Sequence, residues 1–117
     1  MSAKKLNHID WATIETLREL QLPDEPDITL ILIDAFFESS DDFIKKILVE
    51  DDEKTLLEVT HSWKSSAFSL GAFALGDLLI QLHDHAGASK ALKGQLINAI
   101  QEEYRQVHAE LSNLSQS

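Results

Sequence analysis

Apolar positions recur every three or four residues along most of this chain, and the breaks between the runs are short. A first run places Ile9, Trp11, Ile14 and Leu17 on one side and stops at QLPDEPD, where Pro23 and Pro26 separate it from a second run. The second begins near Ile28 with ITLILIDAFF and continues through Phe43, Ile44, Ile47 and Leu48. ITLILI alone has the composition of a buried strand. The run keeps helical spacing far beyond strand length, however, and a helix is predicted. Ser39, Ser40, Asp41 and Asp42 interrupt its middle, where they either cap a second helical stretch beyond a kink or face water.

Asp51 and Asp52 are suited to start a third helix, whose buried stripe is Leu56, Val59, Trp63, Ala67 and Leu70. Gly71 is expected to end it in the left-handed conformation. Ala72, Leu75, Leu78, Leu79, Leu82 and Ala86 repeat the stripe up to Gly87, which predicts two antiparallel helices joined by a tight turn. A last helix from about Ser89 carries Leu92, Leu96, Ile100, Val107, Leu111 and Leu114, with Gly94 a mild blemish near its start. Residues 1–8 and the tail 113–117 are expected to fray. The fold class that hides every stripe is all-α: an antiparallel four-helix bundle with an additional short N-terminal helix, forming a single domain over residues 1–117.

Composition narrows the partners. Twenty acidic against ten basic residues give a net charge of −10 over 117 residues, which repels nucleic acid and anionic membrane surfaces. The chain has no cysteine, hence no disulfide or thiolate chemistry, and lacks both a signal-peptide core and an apolar run of about 18 residues. A cytoplasmic protein is expected, and a monomer, because each apolar stripe is used within the bundle.

The candidate chemistry lies in HSWKSSAFSLG, residues 61–71. At about 100° per residue, His61 points about 160° away from the centre of the buried stripe of its helix, and so towards solvent. Lys64 and Ser65 come one turn later on the same side, with Leu57 and Phe68 extending that face. Small Ser65, Ser66 and Ala67 thin the helix surface nearby, and Phe68 is expected to be exposed without a packing reason. Together these are features of a docking surface.

This stretch resembles the histidine-containing phosphotransfer (HPt) domains of phosphorelays. The family pattern runs His, two residues, Lys, Gly, five residues, Gly, then a hydrophobic helix of the form Leu-Gly-Ala-x-x-Leu. Here His61, Lys64, Leu70, Gly71, Ala72 and Leu75 match it, while Ser65 stands where the family usually has Gly. The resemblance extends over roughly residues 9 to 112, taking in the apolar second helix, the acidic turn and the closing helix. It implies a phosphorelay intermediate in which His61 is the phosphoacceptor and Lys64 stabilises phosphoryl charge, with Leu57, Ser65, Phe68 and Gly71 in the partner-docking surface. The implied partners are receiver domains of a hybrid sensor kinase and of a response regulator. No cofactor of the chain's own is implied, the Mg²⁺ being expected on the partner receiver domain. Ser65 in place of Gly puts partner choice in doubt more than chemistry.

Elementary chemistry agrees with that assignment. A neutral imidazole is a competent nucleophile towards phosphorus near neutral pH without any additional base. Phosphoryl transfer then needs positioning and a nearby cation. With a turn at Gly71, His61 lies level with positions 81 to 83, so His83 either hydrogen-bonds the ring nitrogen that is not phosphorylated, as a polar side chain often does there in the family, or is simply solvated. His83 and His85 are two apart and diverge on a helix, so no metal site is expected. Trp11 and Trp63 are read as packing residues, His8 and His108 carry no assignment, and no phosphate-binding loop for autophosphorylation occurs. The alternative to a relay is a non-catalytic helical adaptor that binds a response regulator or kinase through the same surface without being phosphorylated.

Overall fold

The structure, a computed structural model, describes residues 8–49 and 52–115. Among these the only regular elements are helices: α1 (Trp11–Glu19), α2 (Ile28–Val49), α3 (Glu53–Ser69), α4 (Phe73–Asp84) and α5 (Lys90–Ser115). The chain is all-α, as its periodicity predicts. α3 packs most extensively on α4; α4 also meets α5, and α2 meets α1, α3 and α5.

The prolines do not organise the first connection alone. The Gln21 carboxamide lies inside it, its Nε2 2.9 Å from the carbonyl oxygens of Leu22, Glu25 and Pro26, while its Oε1 accepts from the Ile28 amide at 2.7 Å. One side chain thus closes the loop and satisfies an otherwise orphaned amide at the start of α2. Asp27 supplies a second acceptor, to the Leu30 amide.

α2 runs through residues 39–42 as one helix, so no second helical stretch starts there. Ser40 is fully buried there and accepts a hydrogen bond from the Trp63 indole N–H at 2.9 Å. A serine inside a helix is tolerated because a donor from α3 needs it. The core face of α2 is Thr29, Ile33, Phe36, Ser40 and Ile47.

Asp52 caps α3 as expected, its carboxylate accepting from the Thr55 amide, which holds its pKa below the usual carboxylate range. Asp51 lies outside the described residues. The whole predicted stripe of α3 is buried, Trp63 completely. Gly71 has φ +83°, and the Ala72 amide returns to the Ala67 carbonyl to close the helix end. Its missing side chain matters twice, since a Cβ would also sit 2.8 Å from the Asp10 carbonyl oxygen. Gly71 O in turn accepts from the Asp10 amide at 2.8 Å. The α3–α4 turn is therefore the seat on which the start of α1 rests.

Of the residues expected to fray, those that are described, 8 and 113–115, are held in place. His8 is held to α5 by its backbone amide, which donates to Glu110 at 2.9 Å, and by its ring Nδ1, 2.8 Å from Glu103. At the other end α5 continues through Ser115, with Leu114 packed on the core. Gly94 lies within this helix without breaking it. Residues 1–7, 116 and 117 lie outside the described residues.

Candidate functional site

α3 presents its buried stripe to α2, α4 and α5 and turns His61 outward. The ring is exposed, and among the described residues no side-chain hydrogen bond or ion pair engages it. Lys64 is half-buried and likewise unpaired among the described residues, so its stem lies along the protein while its ammonium is not neutralised by a neighbouring carboxylate. Because every Cα–Cβ bond in a helix tilts towards the N-terminus, the side chains at positions 64 and 65 lean back over the turn that carries His61. Helix geometry thus leaves the Lys64 ammonium within one turn of an exposed imidazole.

The four residues assigned to docking separate into two groups. Ser65 is exposed and its hydroxyl donates to the His61 carbonyl at 3.3 Å. Leu57 is half-buried and packs on the core. Phe68 has a packing reason after all: its ring lies over α4 where a Cβ on Gly76 would stand, 2.4 Å from Cε1, and it tilts against Phe73 at 5.9 Å between centroids. Half of Phe68 is thus spent inside the hairpin. Gly71 is buried beneath the start of α1, at the edge of a surface hollow it shares with Asp10, Trp11 and Phe73.

The Phe68–Gly76 contact also fixes the register of α3 against α4. Seven residues back from Phe68 is His61 and seven on from Gly76 is His83, which places the two histidines on one level, each about two turns from the contact. No hydrogen bond joins them. His83 Nδ1 instead lies 3.7 Å from Asp84 Oδ1, beyond hydrogen-bonding distance, with 43% of its side chain exposed. His85 turns the other way, its Nδ1–H donating to the Gln81 carbonyl oxygen at 2.8 Å.

An apolar face unforeseen in the sequence lies on the first half of α2, towards the C-terminal end of α3. Ile28, Ile31 and Leu32 of α2 are exposed, with Leu20 and Leu22 beside them, Leu22 by 61% and Ile31 by 52%. The face continues into a shallow groove of about 210 Å³ between α2 and α3, lined by Leu32, Ala35, Ser39, Ser66 and Ser69 among others. In ITLILI every second residue or better is apolar, so the run carries no phase that separates inward from outward positions. His8 and His108 were also without a visible role in the sequence: His108 stacks on Phe37 at 4.1 Å and meets Ser112 at 3.2 Å.

Among the described residues no helix is long and apolar enough to cross a membrane. In comparisons with protein-family models, with curated proteins and with solved structures, no match was found.

Proposed function

We propose that this chain is a histidine phosphotransfer protein of the HPt type, relaying a phosphoryl group between receiver domains. The observation that carries the reading is the state of His61: an exposed ring with no hydrogen-bonding partner among the described residues, on a helix whose opposite side is locked into the core, with unpaired Lys64 one turn on. A nucleophile that must meet another protein has to stand free and yet be held in place. The α2–α3, α3–α4, α4–α5 and α2–α5 packings support an antiparallel four-helix bundle as the frame, with α1 added to it.

In the forward step the Nε2 lone pair attacks the phosphorus of an aspartyl phosphate on a receiver. The N–P bond forms as the P–O bond breaks, the aspartate carboxylate leaves with the electron pair, and the Nδ1 proton is released to water. Transfer to a second receiver reverses these events on another carboxylate. Lys64 supplies local positive charge for the phosphoryl oxygens in a chain whose net charge of −10 otherwise repels them. His83, level with His61, is the candidate to orient the ring through Nδ1 once a partner closes the site. Mg²⁺ belongs to the receiver, and receivers of a hybrid kinase and of a response regulator are the partners in this reading. The exposed α2 face, continuous through the groove with α3, is apolar surface that such a receiver would cover. A cytoplasmic monomer is part of the same proposal.

The test is phosphoryl transfer from a phosphorylated receiver to the purified chain, read as an acid-labile, alkali-stable adduct. His61→Gln abolishes the adduct with the melting curve unchanged, and Lys64→Ala lowers the transfer rate while changing stability by less than about 1 kcal/mol. Receiver binding without any transfer would favour the adaptor instead.

A further inference from the structure

Ser65 lies one turn beyond His61, and its hydroxyl is loosely held. The bond to the His61 carbonyl is 3.3 Å, long beside the 2.6 Å and 2.9 Å of the equivalent bonds from Thr60 and Ser69. The carbonyl it touches is already the acceptor of a main-chain helical bond, so little is lost when the hydroxyl turns away. Ser65 is exposed, whereas Ser66, which makes a still longer bond of 3.5 Å, faces the α2–α3 groove. Around the helix axis Lys64 lies about 60° to one side of His61 and Ser65 about 40° to the other, and both side chains tilt back towards it.

We infer that Ser65 is a direct phosphoryl ligand: on rotation about χ1 its hydroxyl leaves the His61 carbonyl and donates to a non-bridging oxygen of the phosphoryl group on His61 Nε2, across from Lys64. The inference rests on the phosphotransfer reading and gives it a measurable property, the lifetime of the loaded state. Hydrolysis forms a bond from water oxygen to phosphorus and breaks the P–N bond. The imidazole keeps that electron pair and takes up a proton, releasing inorganic phosphate. In the resting adduct no partner is approaching, and the loose, metaphosphate-like transition state of hydrolysis carries less charge on the non-bridging oxygens than the bound dianion does. A donor on those oxygens therefore stabilises the dianion more and slows the loss, whereas Lys64 speeds transfer by offsetting the repulsion between the acidic chain and the incoming phosphoryl group. Ser65 thereby keeps the group on His61 while no receiver is present.

The experiment loads the full chain with phosphoramidate, removes the reagent and tracks the phosphohistidine by ³¹P NMR. Ser65→Ala is expected to shorten the half-life about fivefold, because only the part of a charged hydrogen bond that weakens on the way to the transition state counts towards the rate. Ser65→Thr, which keeps the hydroxyl, is expected to stay within about twofold of the unaltered chain. Equal half-lives for the unaltered chain and Ser65→Ala, or a Ser65→Thr as short-lived as Ser65→Ala, overturn the assignment and leave the phosphotransfer reading intact. If the unaltered chain takes no label at His61, the phosphotransfer reading falls and this inference with it.

Discussion

On the inner side of α3, Trp63 is fully buried, bonded to Ser40 of α2 and set against Phe43 and Tyr104 at 5.8 and 5.9 Å. Two residues earlier in the chain, His61 stands on the outer side with no partner among the described residues. The same helix therefore holds one aromatic side chain by contacts on several elements and another by its backbone alone. The difference matches what the proposed phosphotransfer asks of a surface nucleophile. Rigidity is supplied from behind, and no side-chain contact on the outer side has to be broken to reach the ring.

The heaviest blow to that comparison is Trp63→Ala. It empties the largest fully buried side-chain volume and orphans the Ser40 hydroxyl, at an expected cost of about 3–5 kcal/mol in urea-induced unfolding. His61→Gln, two positions away, is expected to shift the same curve by less than about 0.5 kcal/mol. Comparable losses from the two variants would mean that the outer side is not free.

A smaller effect sharpens the boundary between the two sides, where Phe68 lies. Gly76→Ala would thrust a methyl group into the Phe68 ring, so the ring must swing outward or α4 must shift, for a loss of about 1–3 kcal/mol. In the double variant Phe68→Leu/Gly76→Ala the smaller side chain relieves that clash. Unfolding measurements should then show the two changes costing less together than their separate costs sum to. Strict additivity would release Phe68 from the hairpin contact.

How much of the molecule is legible in the sequence depends on whether a residue's role is periodic. The stripe through Trp63 and the outward direction of His61 come from counting at about 100° per residue, the turn at Gly71 from glycine's freedom to take a positive φ at a helix end, and the structure has them so. Ser40 is not legible in this way, because a serine among acids reads as surface, and only the indole of another helix makes burying it favourable. Phe68 reads as idle surface because its reason is the absence of a side chain at Gly76, eight residues on. Gly71 is legible as a helix end but not as the seat for Asp10, a contact between segments far apart in sequence. His8 gives no signal for the same reason, its partners Glu103 and Glu110 lying at the opposite end of the chain. The phase of α2 is lost for want of polar positions in ITLILI.

The gentlest probe lies deep on the inner side, at Tyr104. Burial pushes its phenol up to about 12, the Asp41 carboxylate adds to the shift, and the Ser40 hydroxyl pulls weakly the other way without meeting the geometry of a hydrogen bond. The neutral, protonated form is the one the core favours. An unfolded tyrosine loses its proton near pH 10, so between about 10 and 12 the unfolded chain binds fewer protons than the folded one and stability falls as pH rises. Below pH 10 both states are protonated and the group contributes no slope. The full effect is at most about 3 kcal/mol, reached only near the top of that window. Tyr104→Phe should erase this part of the alkaline slope in thermal melts. At neutral pH it should change stability by less than about 1 kcal/mol, because the hydroxyl has no hydrogen-bonding partner among the described residues. A large loss at neutral pH would reveal that the phenol is bonded within the core, and the inner side of α3 would then be held by a polar network rather than by packing around one indole.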